Sequence, residues 1–388
     1  MSAPHNAARV AVCGGGVIGL SIAWRAAQGG LDVTLVDPSP AGAASHAAAG
    51  LLAPVFEAKP GEEALLRLNL ASYDRWPSFA DELTAATGVD LLLRQQGTLA
   101  VAFDDDDLRA LDDVRSFQES LGLPVERLRS RDCRELEPLL SPRVRGGVRI
   151  DSESSVDPRA VCRALIAACT DAGVRLRRDR LAEVTTSGAR ATGVVLASGE
   201  TIDADHVVIA LGSWSGSLPG VTAAATPPVR PVKGQILRLR FNPDAAPITR
   251  NIHAVARGWE IYLVPRTNGE LVIGATVEEK GFDTSVTAGG VHEMLQAAID
   301  VLPIVAELEQ VEAVARLRPG SADNAPVLGA TSIAGLVLAT GHYRNGVLLT
   351  PITAEAIASL LVDGTVLPEA EPFAIARFAP ERRREVLA

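Results

Sequence analysis

Three glycines near the start of the chain, Gly14, Gly16 and Gly19, follow the apolar run RVAVC with the spacing G-x-G-x-x-G. Each position has a physical job. The first permits a tight turn, the second lets backbone approach a pyrophosphate, and the third allows a helix to pack close to a strand. Free N–H groups and the positive dipole end of the helix that follows favour phosphate charge. Asp37 closes the next apolar run, about 20 residues on, where a carboxylate can accept hydrogen bonds from ribose hydroxyls. Glycine-rich turns are common in loops, so the motif draws its force from the strand before it, the helix after it and the acid in place. The chemistry is dinucleotide binding. It does not separate FAD from NAD(P), because the motif grips the ADP half they share.

Few other residues are arranged for chemistry of their own. Cys13, Cys133, Cys162 and Cys169 are scattered without a CxxC pair, which suits reduced structural thiols and supports neither a disulfide framework nor a zinc site. No Ser/His/Asp or Cys/His grouping suggests nucleophilic catalysis. The run Asp104 to Asp107 reads as an N-cap and acidic first turn of a helix.

The elements that must position the motif follow from periodicity. Residues 9–13 read as a strand, the stretch from Val17 to Gly29-Gly30 as a helix, and 31–37 as a second strand of a βαβ unit. Residues 38–61, rich in Ala, Gly, Ser and Pro, read as an extended loop or short helix close to a ligand. Helices are predicted at about 62–86, from 104 to about 121, from Pro158 to a stop at Gly173, at about 287–301 and at 351–362. Strands are predicted at 97–103, within 206–214, at about 311–317 and at 336–340. From Val229 to Val277 the period is two, with a hairpin signal at Asn268-Gly269, so this part reads as antiparallel sheet of a second domain. Alternation in GWEIYLVP puts Glu260, Tyr262 and Val264 on one face and Trp259, Ile261 and Leu263 on the other.

At 388 residues the chain exceeds the size at which one core stops growing, about 250 to 300 residues, so two joined domains are expected. A net charge of -10 argues against nucleic acid as a partner. There is no apolar run of the roughly 20 residues that span a bilayer, and the start MSAPHNAARV lacks an apolar leader segment. The expectation is a cytoplasmic protein with no membrane partner and no metal. The basic cluster RRRE near the end reads as a solvated tail.

Several further segments occur in a fixed order: SHAAAGLLAP (45–54), SSVDP (154–158), VVIALGSWS (207–215), PVKGQ (231–235), YLVPR (262–266), LVIGAT (271–276), RLRPG (316–320) and GHYRNG (341–346). With the glycine turn, they resemble the D-amino acid oxidase superfamily of flavoproteins, most closely its glycine oxidases of thiamine biosynthesis. Residues 60–150 match only loosely. The resemblance implies an α/β fold: a Rossmann-like FAD-binding domain (1–85, 150–225 and 312–388) and an α+β substrate domain built on an antiparallel sheet (86–149 and 226–311). It implies non-covalent FAD, held by Gly14, Gly16, Val17, Ile18, Gly19, Asp37, Pro38, Ala44, Ser45, Ala49, Gly50, Leu51, Leu181 and Gly212. GHYRNG and the residues after it (His342, Tyr343, Arg344, Asn345, Gly346, Val347 and Leu348) would lie beside the flavin ring, where N–H groups can stabilise charge on the reduced ring.

The same resemblance gives the substrate side. An amino acid oxidase must hold a carboxylate, and the planar fork of arginine suits that task. Arg318 is the first candidate, Tyr262 matches a tyrosine that shares the carboxylate, and Arg344 matches a second arginine; read without the family, each is equally a packing, turn or ion-pair residue. Glu260 departs from the pattern, since related enzymes can carry histidine there. Ala53 and Val277 are candidate walls above the flavin. No protein acid or base is required if the amine enters neutral. The implied reaction converts glycine or a similar small amino acid or amine, with O2, to a 2-oxo acid, ammonia and hydrogen peroxide, in a homotetramer by resemblance. Open alternatives are a D-amino acid or sarcosine oxidase, a dehydrogenase of the same superfamily, or a flavin-binding subunit without catalysis.

Overall fold

A computed structural model describes residues 7–242, 248–256 and 259–379. The RRRE tail and the side chain of Trp259 lie outside the described residues. Arg9–Cys13 is a strand because its four apolar residues are enclosed on both faces, as the centre of a parallel sheet requires. It lies between His206–Ile209 and Asp32–Val36, both parallel to it. Arg175–Arg177 and Leu336–Thr340 extend the sheet in parallel, and Val327–Ala330 closes one edge antiparallel. Helix Val17–Gln28 buries Val17, Leu20, Ile22, Ala23 and Trp24 against this sheet and its neighbouring helices. Each large side chain so buried contributes about 1.5–3 kcal/mol. Trp24 meets Phe79 of helix Glu63–Thr87 edge-on, ring centres 5.8 Å apart, which ties the glycine turn to the longest helix.

The second sheet has eight strands in the order Glu309–Gly320, Arg230–Arg240, Glu270–Gly274, Trp259–Pro265, Asn251–Ala256, Thr98–Ala102, Gly146–Ile150 and Glu126–Arg129. One face packs on helix Ala288–Val301 through Leu237, Leu263, Ile273, Met294 and Ala298. The hairpin at Asn268-Gly269 joins Trp259–Pro265 to Glu270–Gly274, with Gly269 at φ 81°. Ile261 and Leu263 enter that core while Tyr262 and Val264 face the other way, as a period of two requires.

Two details depart from the sequence reading. The sheet is not wholly antiparallel, because Thr98–Ala102 runs parallel to Asn251–Ala256, a pairing that no hairpin links. The boundaries drawn at 149/150 and 311/312 fall inside strands Gly146–Ile150 and Glu309–Gly320. The latter pairs with Arg230–Arg240 along its length and so belongs to the larger sheet. Helix boundaries lie close to the sequence signals. Asp104 accepts from the N–H groups of Asp106 and Asp107, and Asp157 accepts from that of Arg159 ahead of Pro158–Asp171. Among the described residues no helix is long and apolar enough to cross a membrane.

Candidate active site

One cavity of about 1950 Å³ runs from the glycine turn to the open face of the larger sheet. Single small-molecule pockets are about 300–1000 Å³, so this one has room for a dinucleotide and a second small ligand. At its first end, Gly14 has φ 113°, and a Cβ there would stand 2.2 Å from the Ala210 carbonyl oxygen. A Cβ on Gly19 would stand 1.8 Å from the Gly14 oxygen, so this glycine is set by helix–strand packing and lies behind the cavity wall. Gly16 differs. Its Cβ would meet only Ser45 Oγ, at 3.5 Å, so nothing in the protein itself demands glycine there, and it faces the cavity at the helix start. The Asp37 carboxylate accepts from the N–H groups of Gly15 (2.6 Å) and Ser39 (2.7 Å), which fixes it beside the turn. Ser45 Oγ accepts from Val17 N at 3.0 Å and stitches the Ala-rich loop to the helix start.

The other end is built from side chains. The Arg318 guanidinium donates through Nη1 to the Thr276 carbonyl (3.0 Å) and lies over Gly234, where a Cβ would come within 2.3 Å of it. Tyr262 lies over Gly274 in the same way, a Cβ there meeting its hydroxyl at 2.4 Å. Burial pushes the Tyr262 phenol up, and the adjacent Arg318 opposes this. Arg344 pairs with Glu57 at 2.9 Å and stands 4.0 Å from Glu260. The Glu57 carboxylate holds the Arg344 guanidinium above its usual range. The His253 ring meets Phe56 at a tilt, with centres 4.0 Å apart, and stands 6.0 Å from Tyr262. Burial, then Arg344, pushes His253 down to about 3.

The model of the family described as "FAD dependent oxidoreductase" (DAO) matches residues 9–360, nearly the whole of both sheets. The chain belongs to the DAO family of FAD-dependent oxidoreductases. It is 34% identical over 371 residues to the bifunctional protein ThiO/ThiG of Trichormus variabilis, covering 95% of this chain and 55% of that protein. The chain thus spans about half the length of the bifunctional relatives it matches. It is 33% identical to the glycine oxidase of Geobacillus kaustophilus, covering 95% of this chain and 96% of that one. The crystal structure of glycine oxidase from Geobacillus kaustophilus superposes with a TM-score of 0.89 at 30% identity, covering 96% of this chain and all of that one.

The FAD of this family fits the first end of the cavity on the chain's own geometry: an acid fixed beside a glycine turn, a helix start, and a Gly16 that only a ligand requires. Pro38, Ala44, Ala49, Gly50, Leu51, Leu181 and Gly212 all line the cavity, as do residues 342–348. Of the sequence-derived cofactor positions only Gly19 does not. No described cysteine lines it; all four are buried elsewhere. His342 is buried, bonded to Thr353 Oγ1 at 3.1 Å and pushed down to about 3 by burial, so its ring is neutral and braces the helix that follows.

Ala53 is a buried wall of the cavity, but Val277 is 60% exposed and belongs to the mouth. The Glu260 side chain, 82% exposed, also sits at the rim rather than deep beside Tyr262, because it lies at the start of its strand, ahead of the pairing with Glu270–Gly274. The sequence reading missed Glu57, Phe56 and His253, which carry no motif. It also missed Gly234 and Gly274, for which a signal existed: glycine inside a strand marks close approach. Arg266 was missed too; it donates to the carbonyls of Ala49 (2.5 Å) and Val156 (2.6 Å) and fixes the loop that lines the cavity.

Proposed function

We propose that this flavoprotein oxidises glycine, or a similarly small amino acid or amine, to a 2-oxo acid and ammonia, with O2 reduced to hydrogen peroxide, and that it supplies thiamine biosynthesis. The observation that carries this is Arg318, a guanidinium laid over Gly234 beside Tyr262 at the end of the cavity away from the glycine turn. Its fork can hold a carboxylate by two charge-assisted bonds, with the Tyr262 hydroxyl as a third donor. When bound, FAD supplies a hydride acceptor that O2 reoxidises.

The chain's residues then bind and orient. Arg318 fixes the carboxylate, so the α carbon is presented in one direction. Phe56, His253 and Tyr262 line the cavity on the same side, their rings tilted to one another. His253 and His342 are both neutral at physiological pH and offer no competing proton donor of full charge. Arg344, held by Glu57 and close to Glu260, has much of its charge engaged. It supports the Arg318 side electrostatically and leaves Arg318 as the principal clamp.

The proposed domain division follows the two sheets, the six-stranded one serving the cofactor and the eight-stranded one the substrate. A cytoplasmic setting rests on the scattered cysteines and the sequence pattern, and a homotetramer on the resemblance to glycine oxidases. Purified protein supplied with glycine and O2 should yield glyoxylate, ammonia and hydrogen peroxide in equal amounts. Failure to form hydrogen peroxide from any of glycine, sarcosine, D-alanine or D-proline would remove this reading.

A further inference from the structure

We propose that Arg316 anchors the diphosphate of FAD, adding a full positive charge to the partial charge of the helix start at Gly16-Val17. Arg316 and Arg318 stand two residues apart on strand Glu309–Gly320, so they share a face. Both line the cavity, but they reach different parts of it. Arg318 turns to Thr276, whereas Arg316 donates through Nε to the Gly42 carbonyl and through Nη1 to the Ala315 carbonyl, each at 2.8 Å. The Gly42 loop is itself joined to the glycine turn. Ala41 N donates to the Gly15 carbonyl at 2.8 Å, and Val17 N donates to Ser45 Oγ at 3.0 Å. The guanidinium therefore sits one loop away from the site where the diphosphate must lie.

Two features say that this charge serves a ligand. First, both bonded partners of Arg316 are neutral carbonyls, and among the described residues no carboxylate lies within 4.0 Å of it. The acid nearest along its own strand face, Glu312, is taken by Arg159 (2.6 Å), His46 (3.5 Å) and Arg238 (3.5 Å). Second, the phosphate end holds no full positive charge of its own. The helix gives up one of its free donors, Val17 N, to Ser45, it has no basic residue before Arg25 in its last turn, and Asp37 adds negative charge. Of the other described cations of the cavity, Arg230 pairs with Glu279 and Arg344 with Glu57, while Lys59 and Arg180 are exposed to solvent. The inference needs only FAD, and is independent of which amine is oxidised.

The test compares full-chain holoenzyme carrying Arg316→Gln or Arg316→Met with the parent, diluting each and reading released flavin by its fluorescence, with ADP or adenosine as competitor. Gln can still donate to the Gly42 carbonyl but carries no charge. Both variants should bind FAD and ADP about 10- to 100-fold more weakly, as expected for one charge-assisted phosphate contact. Adenosine affinity should be unchanged, and log Kd for FAD should depend less steeply on salt than in the parent. Should Arg316→Met not fold, Arg316→Gln decides alone. Unchanged FAD affinity in Arg316→Gln, or equal losses for ADP and adenosine, would overturn the proposal and leave Arg316 as a prop for the Gly42 loop.

Discussion

The two ends of the cavity are made of different materials. At the glycine turn the site is built on backbone: an N–H row at a helix start, a carboxylate held by two amides, Gly14 in the wall and Gly19 behind it, where any Cβ would strike a carbonyl oxygen. At the other end the walls are long side chains, Arg318, Tyr262 and Arg344, set on separate strands and a loop, with Arg318 laid over Gly234 and Tyr262 over Gly274. A backbone site is rigid and recognises what every flavin shares. A side-chain site can be exchanged residue by residue, so it is where substrate preference is written.

This difference makes separable predictions. The largest effect is expected at the backbone end: Gly19→Ala places a Cβ 1.8 Å from the Gly14 oxygen and should yield protein without bound flavin, seen as loss of visible absorbance. Normal flavin content there would break the contrast. At the side-chain end, Arg318→Ala should keep flavin and lose about 2–5 kcal/mol of transition-state binding, roughly 30-fold to several thousand-fold in kcat/KM.

A buried acid beneath the side-chain end sharpens the contrast through pH. Glu153 accepts from Phe56 N at 2.7 Å, is fully buried, and is pushed up to about 7 by desolvation. A folded pKa above the unfolded value of 4.5 means that the folded state binds the extra proton between them, so Glu153 lowers stability as pH rises through that window. Relative to Glu153→Gln, the parent should lose about 3 kcal/mol of unfolding free energy between pH 4.5 and 7. Urea unfolding at both pH values reads this, and parallel behaviour of the two proteins would contradict it. The smallest effect is that of Gly234→Ala, whose Cβ must push the Arg318 guanidinium aside at a cost of about 1–3 kcal/mol. It should raise KM for the amino acid while flavin content stays full.

The same difference governs what was legible beforehand. The backbone end is one continuous stretch, so spacing alone disclosed Gly14, Gly16, Gly19 and Asp37, and the Asp104 cap and Pro158 disclosed two helix starts. The side-chain end is assembled by strand pairings between distant segments. Periodicity gave the face of Tyr262 correctly but could not say that Glu260 stands at an exposed rim or that Val277 belongs to the mouth. It could not pair Arg344 with Glu57 or turn Thr98–Ala102 parallel to its neighbour, since neither is a local property. Glycines inside PVKGQ and LVIGAT marked close approach without naming Arg318 and Tyr262 as the groups that approach.

Anaerobic flavin bleaching by glycine tests the central claim most directly, with parent and Arg318→Ala holoenzyme compared at equal flavin content. The account predicts that glycine bleaches the parent flavin and that the variant bleaches at least about 30-fold more slowly at low glycine. A parent flavin that no small amino acid or amine reduces, or a variant that bleaches at the parent rate, would contradict it.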